Sequence, residues 1–382
     1  MSRRLFVASG IFHPEPGGPA TYLRAVLPHL QARGWHIHAL TFSDAASGPP
    51  EPYPVTRIVR RAYPLRMAAY ARAARPLLGW ADLVFIHQPG LPLIGSRRAP
   101  RVLKVVGDAA WERAIRKGWI PPDEDIDVFQ TRRYGLPVTL DKQRLVREVR
   151  AMDAVIVPSA YLKRMVMAWG ADAARVHLIY NAPPPDAAVA AAAALPQAEA
   201  RARLALPDAP LVLTVGRLLP WKGIDHLIAA LTAVPAVHLL VAGDGPALAE
   251  ARAQAARMAV AERVTFLGRL PHERIPLYMR AADYVALYSG YEGLSHTLLE
   301  SLRVGTPVIA SEKGGNPEIV QHGVNGLLVP YINLEALRSA LDEAFRPGRR
   351  AALAAEAGAG LDRFDFDRMV EATAALLHAI AG

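Results

Sequence analysis

Short unbroken runs of Val, Ile and Leu alternate along this chain with helical stretches, and that alternation constrains the fold more than any other feature. In the first half the runs are Leu5–Ser9, His36–Phe42, Leu83–His87, Val102–Val106, Ala154–Pro158 and Val176–Tyr180. In the second they are Leu211–Val215, His238–Ala242, Val264–Leu267, Tyr284–Tyr288, Val308–Ser311 and Gly326–Val329. Strands of an antiparallel sheet with one wet face alternate apolar and polar residues. Continuous apolar runs are those of strands covered on both faces, as in parallel sheets. Parallel neighbours need a crossover, usually a helix, so the pattern predicts repeated βαβ units. Two such blocks give an α/β chain with two Rossmann-like, doubly wound domains.

The seam lies at Asn181-Ala-Pro-Pro-Pro-Asp, followed by an alanine-rich stretch to Pro210. Prolines continue neither a helix nor a central strand, so this is the linker region. The expected domains are residues 1–182 and 183–365. Alanines 187–194 suit a short helix, and Asp362–Ala381 reads as helical.

Charge is divided unevenly. Residues 1–182 hold 26 Lys and Arg against 14 Asp and Glu, and the remainder 18 against 21. The basic half implies an anionic partner or a membrane face. No nucleic-acid-binding motif accompanies it, so nucleic acid is not expected. The absence of cysteine excludes disulfides, thiolate metal sites and cysteine nucleophiles. The start, Met1-Ser-Arg-Arg then Leu5-Phe-Val-Ala-Ser, reaches His13, Pro14 and Glu15 too soon for a signal peptide and reads as a first strand. No apolar run approaches the ~20 residues of a membrane span. A cytoplasmic location is expected, with the inner membrane face as an option for the basic half.

The glycines and charges then fall where such sheets hold ligands, at the carboxyl ends of strands. Gly17 and Gly18 follow the first strand, and Pro19 suits the first turn of a helix whose free N–H groups favour an anion. The spacing is not G-x-G-x-x-G, so no nicotinamide site is read. The second domain opens Leu213-Thr-Val-Gly-Arg-Leu-Leu-Pro-Trp-Lys-Gly. Gly216 ends a strand, and Arg217 and Lys222 would project into the crevice, where Arg grips a diphosphate bidentately and Lys adds a point charge. Gly243-Asp-Gly-Pro turns at the same edge, and Phe266-Leu-Gly-Arg269 ends the next strand, where a base edge can be read. In Tyr291-Glu-Gly-Leu-Ser-His-Thr-Leu-Leu-Glu300, Glu292, Gly293 and Leu294 precede a helix that Ser295 can cap. Glu292 would accept from sugar hydroxyls and Glu300, two turns on, from ribose hydroxyls. Gly305-Thr-Pro-Val-Ile-Ala-Ser-Glu-Lys-Gly-Gly-Asn-Pro-Glu318 adds a further strand and glycine turn.

These pieces together resemble the family-4 retaining glycosyltransferases of the GT-B fold. The match rests on Val-Gly-Arg-Leu…Lys-Gly (215–223), Gly-Asp-Gly-Pro (243–246), the glutamates 292 and 300, and the segment 305–318. It covers most of the second half; in the first half it rests on Gly17-Gly18 and the strand order. The resemblance implies two domains facing a central cleft. Arg217 and Lys222 would hold the donor diphosphate, and Glu292 and Glu300 the donor sugar and ribose. It also implies a last helix, 366–382, returning to the first domain. Retaining, metal-independent transfer from a nucleotide-diphosphate sugar to a hydroxyl acceptor follows, with no cofactor and with an anionic or lipid-linked glycan as acceptor. One departure stands out. Where the family places a histidine beside the donor sugar, this chain reads Leu103-Lys-Val-Val-Gly-Asp, with Val106 in that place and Asp108 two residues on. Asp108 either touches substrate or caps a turn, and loss of the histidine favours a donor lacking the 6-hydroxyl.

Two other readings compete: an epimerase or phosphorylase acting on nucleotide sugars, and a non-catalytic subunit that binds them. Metal-dependent transferases use Asp-x-Asp after a strand. Asp123, Asp125 and Asp127 follow two prolines, and Asp365 and Asp367 open the last helix, so solvated-loop and capping roles are expected for both sets.

Overall fold

Because every strand pair is parallel, each strand is reached by a crossover, and the carboxyl ends of all strands in a sheet lie along one edge. This is the arrangement in a computed structural model that describes residues 3–15 and 17–382. The first sheet comprises β1 (Arg3–Ala8), β2 (Trp35–Ser43), β3 (Val55–Val59), β4 (Leu83–Ile86), β5 (Arg101–Lys104), β6 (Ala154–Val157) and β7 (Val176–Leu178). Their order is β3-β2-β1-β4-β5-β6-β7. The second comprises β8 (Leu211–Val215), β9 (His238–Ala242), β10 (Val264–Gly268), β11 (Tyr284–Leu287), β12 (Val308–Ser311) and β13 (Gly326–Val329). Their order is β10-β9-β8-β11-β12-β13. Both orders reverse direction once, between β1 and β4 and between β8 and β11. Ligands of doubly wound sheets sit at such switch points.

The chain forms two compact units. One contains residues 1–114, 133–184 and 364–382; the other contains 115–132 and 185–363. This corrects the expected boundaries in one respect: residues 115–132 pack with the second unit, not the first. Ile126 and Phe129 are fully buried there, and Lys313 closes on two carboxylates of the same segment (below). Asp123 and Asp127 nevertheless stay exposed, and Asp125, half-buried, caps the helix Ile126–Thr131, in keeping with the solvated-loop and capping roles expected.

In the first unit Leu5, Phe6, Val7 and Ala8 of β1 are all fully buried, so both faces of the sheet are covered. The helix Gly18–Ala32 lays Tyr22, Leu23, Val26, Leu27 and Leu30 on one face. The helix Phe366–Ile380 belongs to this unit. Its Thr373 hydroxyl lies 3.3 Å from the Tyr22 hydroxyl, and His378 stacks on Trp35 at 4.8 Å. β3 escapes a pattern search because none of its residues is fully buried. It is an edge strand, where packing covers less of each side chain.

One core position breaks the apolar rule. Lys104, the last residue of β5, is 1% exposed, and its Nζ lies 4.1 Å from the centroid of the Tyr22 ring with no hydrogen-bond partner among the described residues. Burial lowers its pKa to about 7. His87, just past β4, is also buried and held far below its ordinary pKa, by burial and then by the Lys104 charge.

Candidate functional site

The second sheet's carboxyl edge is stitched together by backbone contacts that only glycine permits. Gly216 follows β8 directly and donates to the Ala242 carbonyl at 3.0 Å. Gly243, with φ +147°, follows β9, and a Cβ there would stand 1.8 Å from the Gly216 carbonyl oxygen. Gly223 (φ +65°) meets the Tyr288 carbonyl equally closely, at 1.9 Å from a built Cβ. Gly290 donates to the Trp221 carbonyl at 2.7 Å, tying the loops after β8 and β11 together. Gly243→Ala is thus expected to cost at least about 2 kcal/mol in urea unfolding, because it adds a backbone clash to a strained φ. Wild-type stability in that variant would mean the turn relaxes freely.

On this edge two sequence-derived residues meet directly. Lys222 closes the short turn Pro220–Lys222, and its Nζ lies 2.5 Å from Glu292 Oε1, with side chains 20% and 14% exposed. Arg217 sits five residues earlier on the same loop, with its side chain exposed and unpaired among the described residues. A paired, half-buried ammonium and a free guanidinium on one loop form a cationic edge that can receive a diphosphate. Glu292 is fixed through its backbone: its carbonyl accepts from Gly315 N–H at 2.8 Å, and Gly314 (φ +64°) leaves room for it.

Ser295 caps the helix His296–Arg303, accepting from Leu298 N–H at 3.2 Å. Gly293 is half-buried and Leu294 buried in the loop before the cap. Glu300 lies deep in this helix. Burial pushes its carboxyl pKa up, His272 opposes that, and Asp186 adds to it. Arg303, on the same helix, also opposes the rise. Arg269 is exposed just beyond β10.

In the first unit, Gly17 caps the helix Gly18–Ala32 with φ +153°, and a Cβ on Gly18 would meet no atom within 4 Å. Asp108 is 1% exposed, and its Oδ1 accepts from Ala110 and Trp111 N–H at 2.9 and 3.0 Å. It caps the helix Ala109–Arg116, the second of the two roles its position allowed. Val106 is exposed beyond β5.

Sequence reasoning passed over Lys313, immediately before Gly314-Gly315. Its Nζ lies 2.6 Å from Asp125 Oδ2 and 3.0 Å from Asp127 Oδ2. Burial alone would lower its pKa, but the two carboxylates outweigh burial and raise it. Asp125 also caps the short helix Ile126–Thr131. Both carboxylates of the Asp-x-Asp pair are thus committed to a lysine. Asp365 caps the last helix, accepting from Arg368 N–H at 2.7 Å.

Two family descriptions match the chain over most of its length: "Glycosyltransferase Family 4" over residues 16–186 and "Glycosyl transferases group 1" over residues 196–358. The chain belongs to glycosyltransferase family 4. One relative of this family 4 chain is a GDP-mannose-dependent alpha-(1-6)-phosphatidylinositol monomannoside mannosyltransferase of Mycolicibacterium smegmatis. It is 35% identical over 54% of this chain and 56% of the relative. A D-inositol 3-phosphate glycosyltransferase of Acidothermus cellulolyticus is 27% identical over 94% and 84%. The chain spans little more than half the length of the first of these. Among solved structures, a sucrose-phosphate synthase from Thermosynechococcus elongatus superposes with TM-score 0.80 at 22% identity, over 99% of each chain. Anabaena HepE, in complex with UDP and glucose, does so with TM-score 0.73 at 21% identity, over 99% of this chain and 100% of that one. The fold is the GT-B glycosyltransferase fold, with one parallel α/β sheet in each unit.

Proposed function

We propose that this family 4 chain transfers a sugar from a nucleotide-diphosphate sugar to a hydroxyl acceptor, with retention at the anomeric carbon and without a metal ion. The observation that carries the reading is the Lys222–Glu292 pair at the β8/β11 switch point, on a loop that also carries Arg217, exposed and unpaired among the described residues. Cleaving the bond from sugar to diphosphate leaves negative charge on a phosphate oxygen. Cations fixed in advance where that charge develops lower the barrier without reorganising. Arg217 and Lys222 would supply them. Glu292 would then orient the donor sugar by accepting from its hydroxyls, and Glu300 would accept from the ribose. The UDP and glucose named for HepE and the GDP-mannose named for the mycobacterial relative support a nucleotide-sugar donor.

The acceptor is an anionic or lipid-linked glycan, and the product belongs to a cell-surface glycan or glycolipid. The first unit holds 24 Lys and Arg against 13 Asp and Glu, which suits such a partner and suits contact with the inner face of a membrane. Among the described residues no helix is long and apolar enough to cross a membrane. With Val106 exposed where the family places a histidine, the donor is one lacking the 6-hydroxyl.

A panel of nucleotide-diphosphate sugars, incubated with and without EDTA and read by mass spectrometry, tests this reading. Nucleoside diphosphate and free sugar should appear slowly by transfer to water; with acceptor, nucleoside diphosphate should appear faster with the sugar on the acceptor, and equally with EDTA. Loss of turnover in EDTA would defeat metal independence. A clear preference for ordinary hexose donors would defeat the 6-deoxy or pentose assignment. Interconversion of donors without release would favour an epimerase.

A further inference from the structure

The first unit holds an open pocket of about 330 Å³ between the loop that leaves the carboxyl end of β2 and the edge strand β3. Four polar side chains line it: Ser47, Glu51, Tyr53 and Arg57. Both terminal nitrogens of Arg57 are buried and have no hydrogen-bond partner among the described residues, and neither has the Tyr53 hydroxyl. Tyr53 itself is only 5% exposed. Glu51, the one carboxylate in the lining, is already engaged by His13 Nδ1 at 3.0 Å.

The guanidinium is held in place by more than chance packing. It lies 5.9 Å from the Phe12 ring centroid, and Phe12 meets Tyr53 edge-on at 6.5 Å. A Cβ on Gly48 would stand 2.7 Å from the guanidinium carbon, so the loop backbone passes close over it. Burial and the Glu51 charge push the Tyr53 pKa up, against the opposing charge of Arg24, so its hydroxyl stays protonated and can donate.

A buried guanidinium without a counter-charge is costly, and the missing partner must be an acceptor. Arg57 offers a planar fork and Tyr53 a third donor. A carboxylate satisfies the fork with its two oxygens; a phosphoryl group has a third oxygen for the hydroxyl. The cavity volume falls in the range of small-molecule sites and exceeds what a bare phosphate needs. We propose that Arg57 and Tyr53 bind a phosphoryl group carried by the acceptor. Naming the acceptor as its bearer rests on the transferase reading; the phosphoryl site does not.

The test is calorimetric titration of inorganic phosphate into the full chain, with nucleoside diphosphate saturating the second unit. Arg57→Met should weaken phosphate binding by at least about tenfold, and Tyr53→Phe by several-fold, as expected for loss of charge-assisted hydrogen bonds. Arg57→Lys keeps the charge and loses the fork, so it should not restore affinity and also guards against a folding artefact. Equal phosphate affinity in the wild type and Arg57→Met, or no binding by the wild type, overturns the proposal. Sedimentation with phosphatidylcholine vesicles containing phosphatidic acid identifies the source. If the wild type sediments and Arg57→Lys does not, the phosphoryl group is lipid-borne. If both stay in solution while phosphate still binds, it is carried by a soluble sugar phosphate. Donor hydrolysis is measured in the same variants. Wild type that binds phosphate but hydrolyses no donor would sink the transferase reading and leave the phosphoryl site standing.

Discussion

Lys222→Ala is expected to lower kcat for sugar transfer by roughly 10²–10³, the range seen when one fixed donor is removed from a site where negative charge develops. The substitution has a second consequence. Lys222 Nζ pairs with Glu292 Oε1 at 2.5 Å in a half-buried setting, so deleting the ammonium strands a carboxylate. Stranding one partner of a buried pair costs more than removing both. Lys222→Met alone should therefore lose stability as well as rate, and Lys222→Met with Glu292→Gln should regain most of the stability while kcat stays low. A double variant that recovered turnover along with stability would show that the pair is structural. Near-normal kcat in a well-folded Lys222→Ala would remove the lysine from the chemistry.

The second large effect concerns stability. Lys104→Met should stabilise the protein by roughly 3–5 kcal/mol near pH 7, and the gain should fade as the pH approaches 10. The direction follows from the proton count. Lys104 has a folded pKa of about 7 against an ordinary 10.5. Between those values the unfolded chain binds a proton that the folded chain lacks, so wild-type stability rises with pH through that window. Below about 7 both states hold the proton and the full penalty for burying it persists. Methionine has a similar shape and no charge to bury. His87 titrates below the window, and Tyr22, pushed up to about 12 by burial despite the Thr373 contact, titrates above it. Urea unfolding of both proteins from about pH 7 to pH 9.5 thus isolates the lysine. A stability difference independent of pH would show that the ammonium finds a counter-charge or solvent in solution.

The parallel sheets were legible because their central strands are covered on both faces and so carry continuous apolar runs. β3 was not, since Val55–Val59 lies at the edge and is only half-buried along its length. The glycines at 216 and 243 and the Ser295 cap were legible because local backbone geometry demands them. Lys222 and Glu292 were legible as residues of one edge, but their contact, 70 positions apart, was not. The membership of 115–132 in the second unit was hidden for the same reason, as Asp127 and Lys313 are 186 positions apart. Lys104 was hidden because a lysine at a strand end ordinarily reaches water, and only the packing of Tyr22 shows that this one does not. Asp108 was legible as a choice between substrate contact and cap, and the N–H groups of Ala110 and Trp111 show the capping role.

The claim beneath the functional reading is that a diphosphate settles on the carboxyl ends of β8 and β11. A crystal structure of the chain soaked with a nucleoside diphosphate tests it most directly. The phosphate oxygens are expected within hydrogen-bonding distance of the Arg217 guanidinium and the Lys222 ammonium. Diphosphate bound away from both side chains, in either unit, would contradict it.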